Sequence, residues 1–153
     1  MSTMNFSTEA ELQDFLHRCL GGQCEVWLNP SCRIDIVTQD FQIEVKLVLS
    51  RSAMDRAAGQ LCRYSPYAAG RTQVIAGCAP KNFGATHLKM AESFRDAGIQ
   101  VWFVDLDPHF QQAYRQLNSE ISPVRQRVLP TPVALGRKKS LIDRIVERLF
   151  NFN

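Results

Sequence analysis

The chain has 153 residues, 45% of them hydrophobic and 22% charged, the size of one ordinary domain with enough apolar side chain to bury a core without staples. A formal charge of +3 permits a polyanionic partner without arguing for one. Five cysteines, an odd number with no CxxC spacing, speak against a disulfide framework or a zinc site, and no stretch approaches the roughly 18 apolar residues of a membrane span.

The cysteines (Cys19, Cys24, Cys32, Cys62, Cys78) sit beside apolar residues and are expected as buried thiols. The N-terminus lacks a charged segment followed by an apolar run, so the expected location is the cytoplasm, with no membrane association. Nine of the 18 Lys and Arg residues follow Lys89, and Arg137, Lys138 and Lys139 are consecutive. That triplet is either a phosphate-facing surface or a solvated helix start.

In chain order, Leu12, Phe15, Leu16, Cys19 and Leu20 recur at helical spacing behind a Ser7 or Thr8 cap, with Glu9 and Glu11 in the first turn and Gly21-Gly22 as the stop. Three β-like runs follow: Cys24 to Leu28, Arg33 to Thr38, and Phe41 to Leu49. Gln39-Asp40 has the length of a tight hairpin between the last two, which makes an antiparallel meander. Ser52 to Tyr64 reads as a helix starting at a serine cap, with Met54, Ala57, Ala58, Leu61 and Cys62 at helical spacing and a stop before Pro66. Gln73 to Gly77 reads as a strand covered on both faces, Thr86 to Ala97 as a helix ended by Gly98, and Ile99 to Leu106 as a second buried strand. A strand-helix-strand unit implies parallel pairing through a right-handed crossover. Beyond Pro108 come a helical stretch to Leu117, a proline-bounded loop, and an amphipathic helix from Ser140 to Phe150. The expected architecture is α/β, a mixed central sheet flanked by helices, with residues 1–106 as the core and 107–153 as a C-terminal helical extension of the same domain.

The charges in the third strand carry the functional argument. Phe41, Ile43, Val45 and Leu47 point one way, so Gln42, Glu44, Lys46 and Val48 point the other. On the second strand Ile34 and Ile36 share a face and Arg33, Asp35 and Val37 share the opposite one, and the hairpin brings Asp35 level with Glu44. Two carboxylates and an ammonium converge inside a segment as apolar as Ile-Glu-Val-Lys-Leu-Val-Leu, where charges cost several kcal/mol unless paired or metal-bound. Carboxylate oxygens are the hard ligands that Mg²⁺ prefers, and a lysine beside them can orient or deprotonate an attacking water. The bland alternative is a cross-strand charge cluster on a solvated sheet face.

The succession Arg33-Ile34-Asp35-Ile36-Val37, then Ile43-Glu44-Val45-Lys46, with eight residues intervening between Asp35 and Glu44, resembles the signature of the PD-(D/E)XK nuclease superfamily, whose restriction-endonuclease-like core has the order αβββαβ. Ile34 stands where the name's proline would be. Glu9-Ala10-Glu11-Leu12 is similar to the helix-one setting of Holliday-junction resolvases and implies Glu9 as a third carboxylate. On the helix Glu9 lies roughly 50° from the centre of the apolar stripe and Glu11 roughly 110°, so Glu9 faces the sheet more directly, with Glu11 as the alternative. A first-turn acid favoured by the helix dipole explains either glutamate without catalysis. Gln60-Leu61-Cys62-Arg63-Tyr64, fourteen residues past Lys46, resembles the Gln-x-x-x-Tyr motif of RecB-type members. Gln60 and Tyr64 fall on one helix face, an amide to fix a nucleotide or carboxylate and a ring to stack a base or bond a phosphate.

The resemblance implies a metal-dependent nuclease acting on DNA. Glu9, Asp35, Glu44 and the Val45 carbonyl would hold Mg²⁺, with Mn²⁺ able to substitute, Lys46 would position the attacking water, and Gln60 and Tyr64 would bind substrate. A homodimer or a larger nucleoprotein assembly is the implied setting. The alternative is an inactive member retained as a nucleic-acid-binding or assembly subunit. His17, His87 and His109 are expected to be structural, and Asp107-Pro108 reads as a helix start.

Overall fold

Thr8 opens the first helix, α1 (Glu9–Leu20), by accepting a hydrogen bond from the Glu11 N–H at 3.2 Å, and the Glu11 carboxylate reaches back to the Ser7 N–H at 2.7 Å. The first bond satisfies one of the helix's otherwise orphaned first-turn donors, and the second fixes the residue before the cap. Gly21, at φ 72°, lets the chain reverse, a conformation glycine adopts without Cβ strain. The computed structural model describes residues 4–120; the basic triplet at 137–139 and the amphipathic segment at 140–150 lie outside the described residues.

The helix is followed by β1 (Gln23–Asn29), β2 (Cys32–Val37), β3 (Phe41–Val48), α2 (Arg51–Tyr64), β4 (Thr72–Cys78), α3 (Ala85–Asp96), β5 (Ile99–Phe103) and α4 (Pro108–Glu120). The strands form one sheet in the order β1-β2-β3-β4-β5, antiparallel among the first three and parallel from β3 to β5. The architecture is therefore α/β, a five-stranded mixed sheet between helices. Thr38 N–H donates to the Phe41 carbonyl at 2.9 Å, which closes a two-residue turn at Gln39-Asp40 and sets the register Ile36↔Ile43. One residue on, Asp35 and Glu44 come level, as the hairpin length requires.

Two apolar layers cover the sheet. On one side α1 and α4 pack Leu12, Phe15, Leu16, Phe110 and Ala113 against Ile36, Phe41, Ile43, Val45, Val74 and Ala76. On the other, α2 packs Met54, Ala57, Ala58, Leu61 and Tyr64 against Ile34, Ile75 and Ile99. Because α4 supplies core residues, the first part of the C-terminal extension closes the same core as the sheet.

Several local expectations are corrected. Ile34 and Ile36 do not share a face: Ile36 lies in the α1 layer and Ile34 in the α2 layer. The β1–β2 ladder pairs Cys24 with Ile36 and Val26 with Ile34 but skips the rung between them, where Glu25 has φ 55°. At that left-handed residue the side chains of the ribbon change face: Cys24 and Ile36 before it pack in the α1 layer, Val26 and Ile34 after it in the α2 layer. The serine cap of α2 is Ser50, whose Oγ accepts from the Ala53 N–H at 3.2 Å, rather than Ser52. Cys62 is exposed, since it stands roughly 120° from the centre of the buried α2 stripe. Cys24, Cys32 and Cys78 are half-buried and only Cys19 is buried; all five are free thiols. β5 ends at Phe103, whose carbonyl accepts from the Leu106 and Asp107 N–H groups as the chain turns into α4. No helix among the described residues is long and apolar enough to cross a membrane.

Candidate active site

β3 is central and its alternation is strict where it matters. Phe41, Ile43 and Val45 enter the α1 layer, leaving Gln42 and Glu44 to point, fully buried, toward the α2 side. Gln42 is satisfied there by hydrogen bonds of its side-chain amide: it donates to the Tyr67 carbonyl at 3.3 Å and accepts from Gln73 at 3.2 Å, and Gln73 also donates to the Leu61 carbonyl at 2.7 Å. These bonds tie the C-terminal end of α2 to β3 and β4.

Glu44 is 2% exposed. Its Oε1 accepts from Lys46 Nζ at 2.6 Å, while its Oε2 is buried without a hydrogen-bond partner. Burial first, then the charge of Asp35, push its carboxyl up to about 7 against the attraction of Lys46. Lys46 is 19% exposed; burial pulls its ammonium down, but the hydrogen bond and charge of Glu44, then Glu9 and Asp35, outweigh it and the net shift is upward.

Asp35 sits where the sheet parts. The β2–β3 ladder is confined to Ile36↔Ile43 and Val37↔Gln42, and past that point the Asp35 Oδ2 accepts the Val45 N–H at 2.7 Å. A side chain thus takes the bond that a neighbouring strand would otherwise supply. Burial raises the Asp35 carboxyl, opposed by the Val45 hydrogen bond and the Lys46 charge. Val45 meets the site through its backbone, its side chain being in the core.

Glu9 reaches the same place from the start of α1. Its Oε2 accepts the Leu47 N–H at 3.2 Å, and its Oε1 is 4.0 Å from Lys46 Nζ. Glu11 is occupied at the helix cap, so the structure brings Glu9, and not Glu11, to Asp35, Glu44 and Lys46. One turn further along α1, Gln13 donates to the Asp35 carbonyl at 3.2 Å and the Glu25 carboxylate at 2.9 Å. Gln13 was not singled out from the sequence, although its position four residues after Glu9 puts it on the same helix face.

Gln60 is half-buried on α2, and Tyr64 is 5% exposed within the α2 layer. The Tyr64 phenol is raised by burial, then by the Glu44 charge, with a Gln60 hydrogen bond opposing. Tyr64 is near enough to feel the Glu44 charge, but neither Gln60 nor Tyr64 hydrogen-bonds the Glu44 carboxylate. With its ring packed in the core, Tyr64 has no face free for a nucleobase.

His17, His87, Asp105 and Asp107 make local contacts away from the cluster. His17 Nε2 is 3.2 Å from the Gly22 carbonyl oxygen, and His87 is buried against Phe83. Asp105 accepts the Ala79 N–H at 2.7 Å, and Asp107 accepts the His109 N–H at 2.8 Å at the start of α4.

Among the described residues no three carboxylate, imidazole or thiol groups are gathered closely enough to hold a metal ion as they stand. What fits a hard cation is the chemistry of Asp35 and Glu44: two carboxylates whose charges burial opposes, one with a buried oxygen lacking any partner. Mg²⁺ binds in this manner, through one or two carboxylates, completing its shell with water and phosphate oxygen. No family model, no curated protein and no solved structure matches the chain.

Proposed function

We propose that the chain is a divalent-metal-dependent nuclease of restriction-endonuclease-like type, hydrolysing phosphodiester bonds in DNA. The observation that carries this reading is the partnerless, buried Oε2 of Glu44 beside Asp35 and Lys46. Lys46 pairs with the other oxygen, so what lacks a partner is the Oε2 atom; a buried carboxylate oxygen without a hydrogen bond is costly, and a bound cation would relieve that cost.

Asp35 and Glu44 would hold Mg²⁺ or Mn²⁺, with Glu9 and the Val45 carbonyl completing the protein's share. The ion would polarise the phosphoryl oxygen and lower the pKa of a bound water. The chain's own residues do the rest. Val45 N–H fixes the Asp35 carboxylate, Gln13 anchors the Asp35 backbone, and Lys46, tethered to Glu44, holds its ammonium at the mouth of the site to orient the attacking water. Gln60 would meet substrate from α2, held by its hydrogen bond to Tyr64. The protein would work in the cytoplasm on DNA, as a homodimer or within a larger assembly.

Incubating the protein with supercoiled plasmid and a labelled single strand, in Mg²⁺, Mn²⁺ or EDTA and beside Lys46→Ala, tests this reading. Cleavage that needs metal and vanishes in the variant is expected.

One observation favours a second reading, a nuclease-fold subunit that binds nucleic acid without cutting it: Glu44 is already neutralised by Lys46 at 2.6 Å. Salt-sensitive DNA binding with no turnover in any metal would establish that instead.

A further inference from the structure

Trp27 is 64% exposed, whereas the chain's other tryptophan, Trp102, is 7% exposed and packs in the α1 layer. An indole left in water forgoes one of the largest burial gains open to a side chain. The Arg33 guanidinium lies over this ring, 5.6 Å from its centroid, and is held there by an ion pair with Glu25 at 2.7 Å. The indole is therefore backed by a cation on one side and open to solvent on the other.

Its position is tied to the acidic cluster. Trp27 pairs with Arg33 in the β1–β2 ladder, and Arg33 stands two residues, about 7 Å of strand, before Asp35. Gln13 bridges the Glu25 carboxylate and the Asp35 carbonyl, fixing the ribbon beside α1. Because β2 runs antiparallel to β3, the residues preceding Asp35 extend past the level of Glu44, where the β2–β3 ladder has ended. Val26 and Leu28 pack in the α2 layer, so Trp27 between them faces the α1 side, the side from which Glu9 and Gln13 reach the cluster, and it is the most exposed large hydrophobic side chain among the described residues.

We infer that Trp27, backed by Arg33, stacks an unpaired nucleobase of a single-stranded DNA segment next to the cluster of Glu9, Asp35 and Glu44. The inference rests on the nuclease reading and names the form of its substrate. A nucleobase is the occupant that fits: its flat π-face matches the open indole, and the phosphates on either side of it match the adjacent guanidinium. Tyr64, the aromatic residue of the Gln-x-x-x-Tyr motif, is buried and leaves stacking to Trp27.

The test is a fluorescence titration of the full chain with a short oligothymidylate, at low salt in EDTA. Trp102→Phe makes Trp27 the sole reporter. Saturation is expected to quench it. Trp27→Ala should weaken oligothymidylate binding about tenfold while changing the affinity for blunt duplex less than about twofold, and Trp27→Phe should retain most of the affinity. Unchanged oligothymidylate affinity in Trp27→Ala, or an equal loss for duplex, would overturn the inference. So would self-association of the wild type that Trp27→Ala abolishes without any effect on DNA, since the ring would then face a second copy of the chain. Metal-dependent cleavage of duplex with no single-strand binding defeats the inference and spares the nuclease reading. Trp27-dependent binding without cleavage of any DNA does the reverse.

Discussion

Asp35 accepts the Val45 N–H at 2.7 Å across the point where β2 leaves β3, so one carboxylate both closes a gap in the sheet and faces the acidic cluster. The two roles separate by substitution. Asp35→Asn keeps an acceptor for Val45 and should preserve thermal stability to within about 1 kcal/mol while lowering cleavage at least about 100-fold. Asp35→Ala should also destabilise the fold, by about 1–3 kcal/mol, because the Val45 N–H loses its partner. Denaturant unfolding and plasmid cleavage on both variants check this. Wild-type cleavage by Asp35→Asn would remove the residue from the site.

Glu9 and Glu11 should divide in the same way. Glu11 completes the α1 cap, so Glu11→Ala is expected to lower stability by about 0.5–1 kcal/mol with cleavage kept. Glu9, bonded only at the cluster, should show the opposite pattern in Glu9→Gln: a loss of cleavage with little change in unfolding. Parallel melts and cleavage assays distinguish the two, and the reverse pattern would make Glu11 the functional acid.

The Glu44 carboxyl predicts how metal-free stability varies with pH. Its folded value of about 7 lies above the ordinary 4.5, so between those values the folded state binds more protons than the unfolded chain. Stability from this group is full below about pH 4.5 and lost as pH rises through about 7, amounting to about 3 kcal/mol. Urea unfolding in EDTA across that window should show the decline, and Glu44→Gln should flatten it. Mg²⁺ above pH 7 should restore stability by holding the ionised form. A wild-type profile as flat as that of Glu44→Gln would contradict the burial argument.

Gly77 faces Lys46 across the β3–β4 pair, and a Cβ there would strike the Lys46 carbonyl and come 2.7 Å from Leu49 Cγ. Gly77→Ala should cost about 3 kcal/mol or more, since backbone must move, and it should impair cleavage by displacing Lys46 even where the protein still folds. Circular dichroism melts with cleavage measured well below the melting temperature test this; unaltered stability would refute it.

What could be read from the sequence was whatever depends on neighbours a few residues apart. The 3.6-residue stripe of α1, the alternation Phe41/Ile43/Val45 against Gln42/Glu44, and the two-residue turn at Gln39-Asp40 express local backbone geometry, and together they place Asp35 level with Glu44. The strand-helix-strand run from β4 to β5 gave parallel pairing for the same reason.

Tertiary structure decided the rest, because the deciding contacts join residues far apart in the chain. Glu9 was separated from Glu11 by a bond to Leu47, 38 residues away. The split of Ile34 from Ile36 falls at the rung opposite a left-handed residue on another strand, Glu25, which no pattern within β2 records. Trp27 has apolar neighbours in sequence, Val26 and Leu28, and Tyr64 polar ones, Arg63 and Ser65, yet Tyr64 is covered in the α2 layer and Trp27 is left to solvent. Periodicity states which face of an element is apolar, but only the packing of one element on another determines which charges meet and which rings stay open.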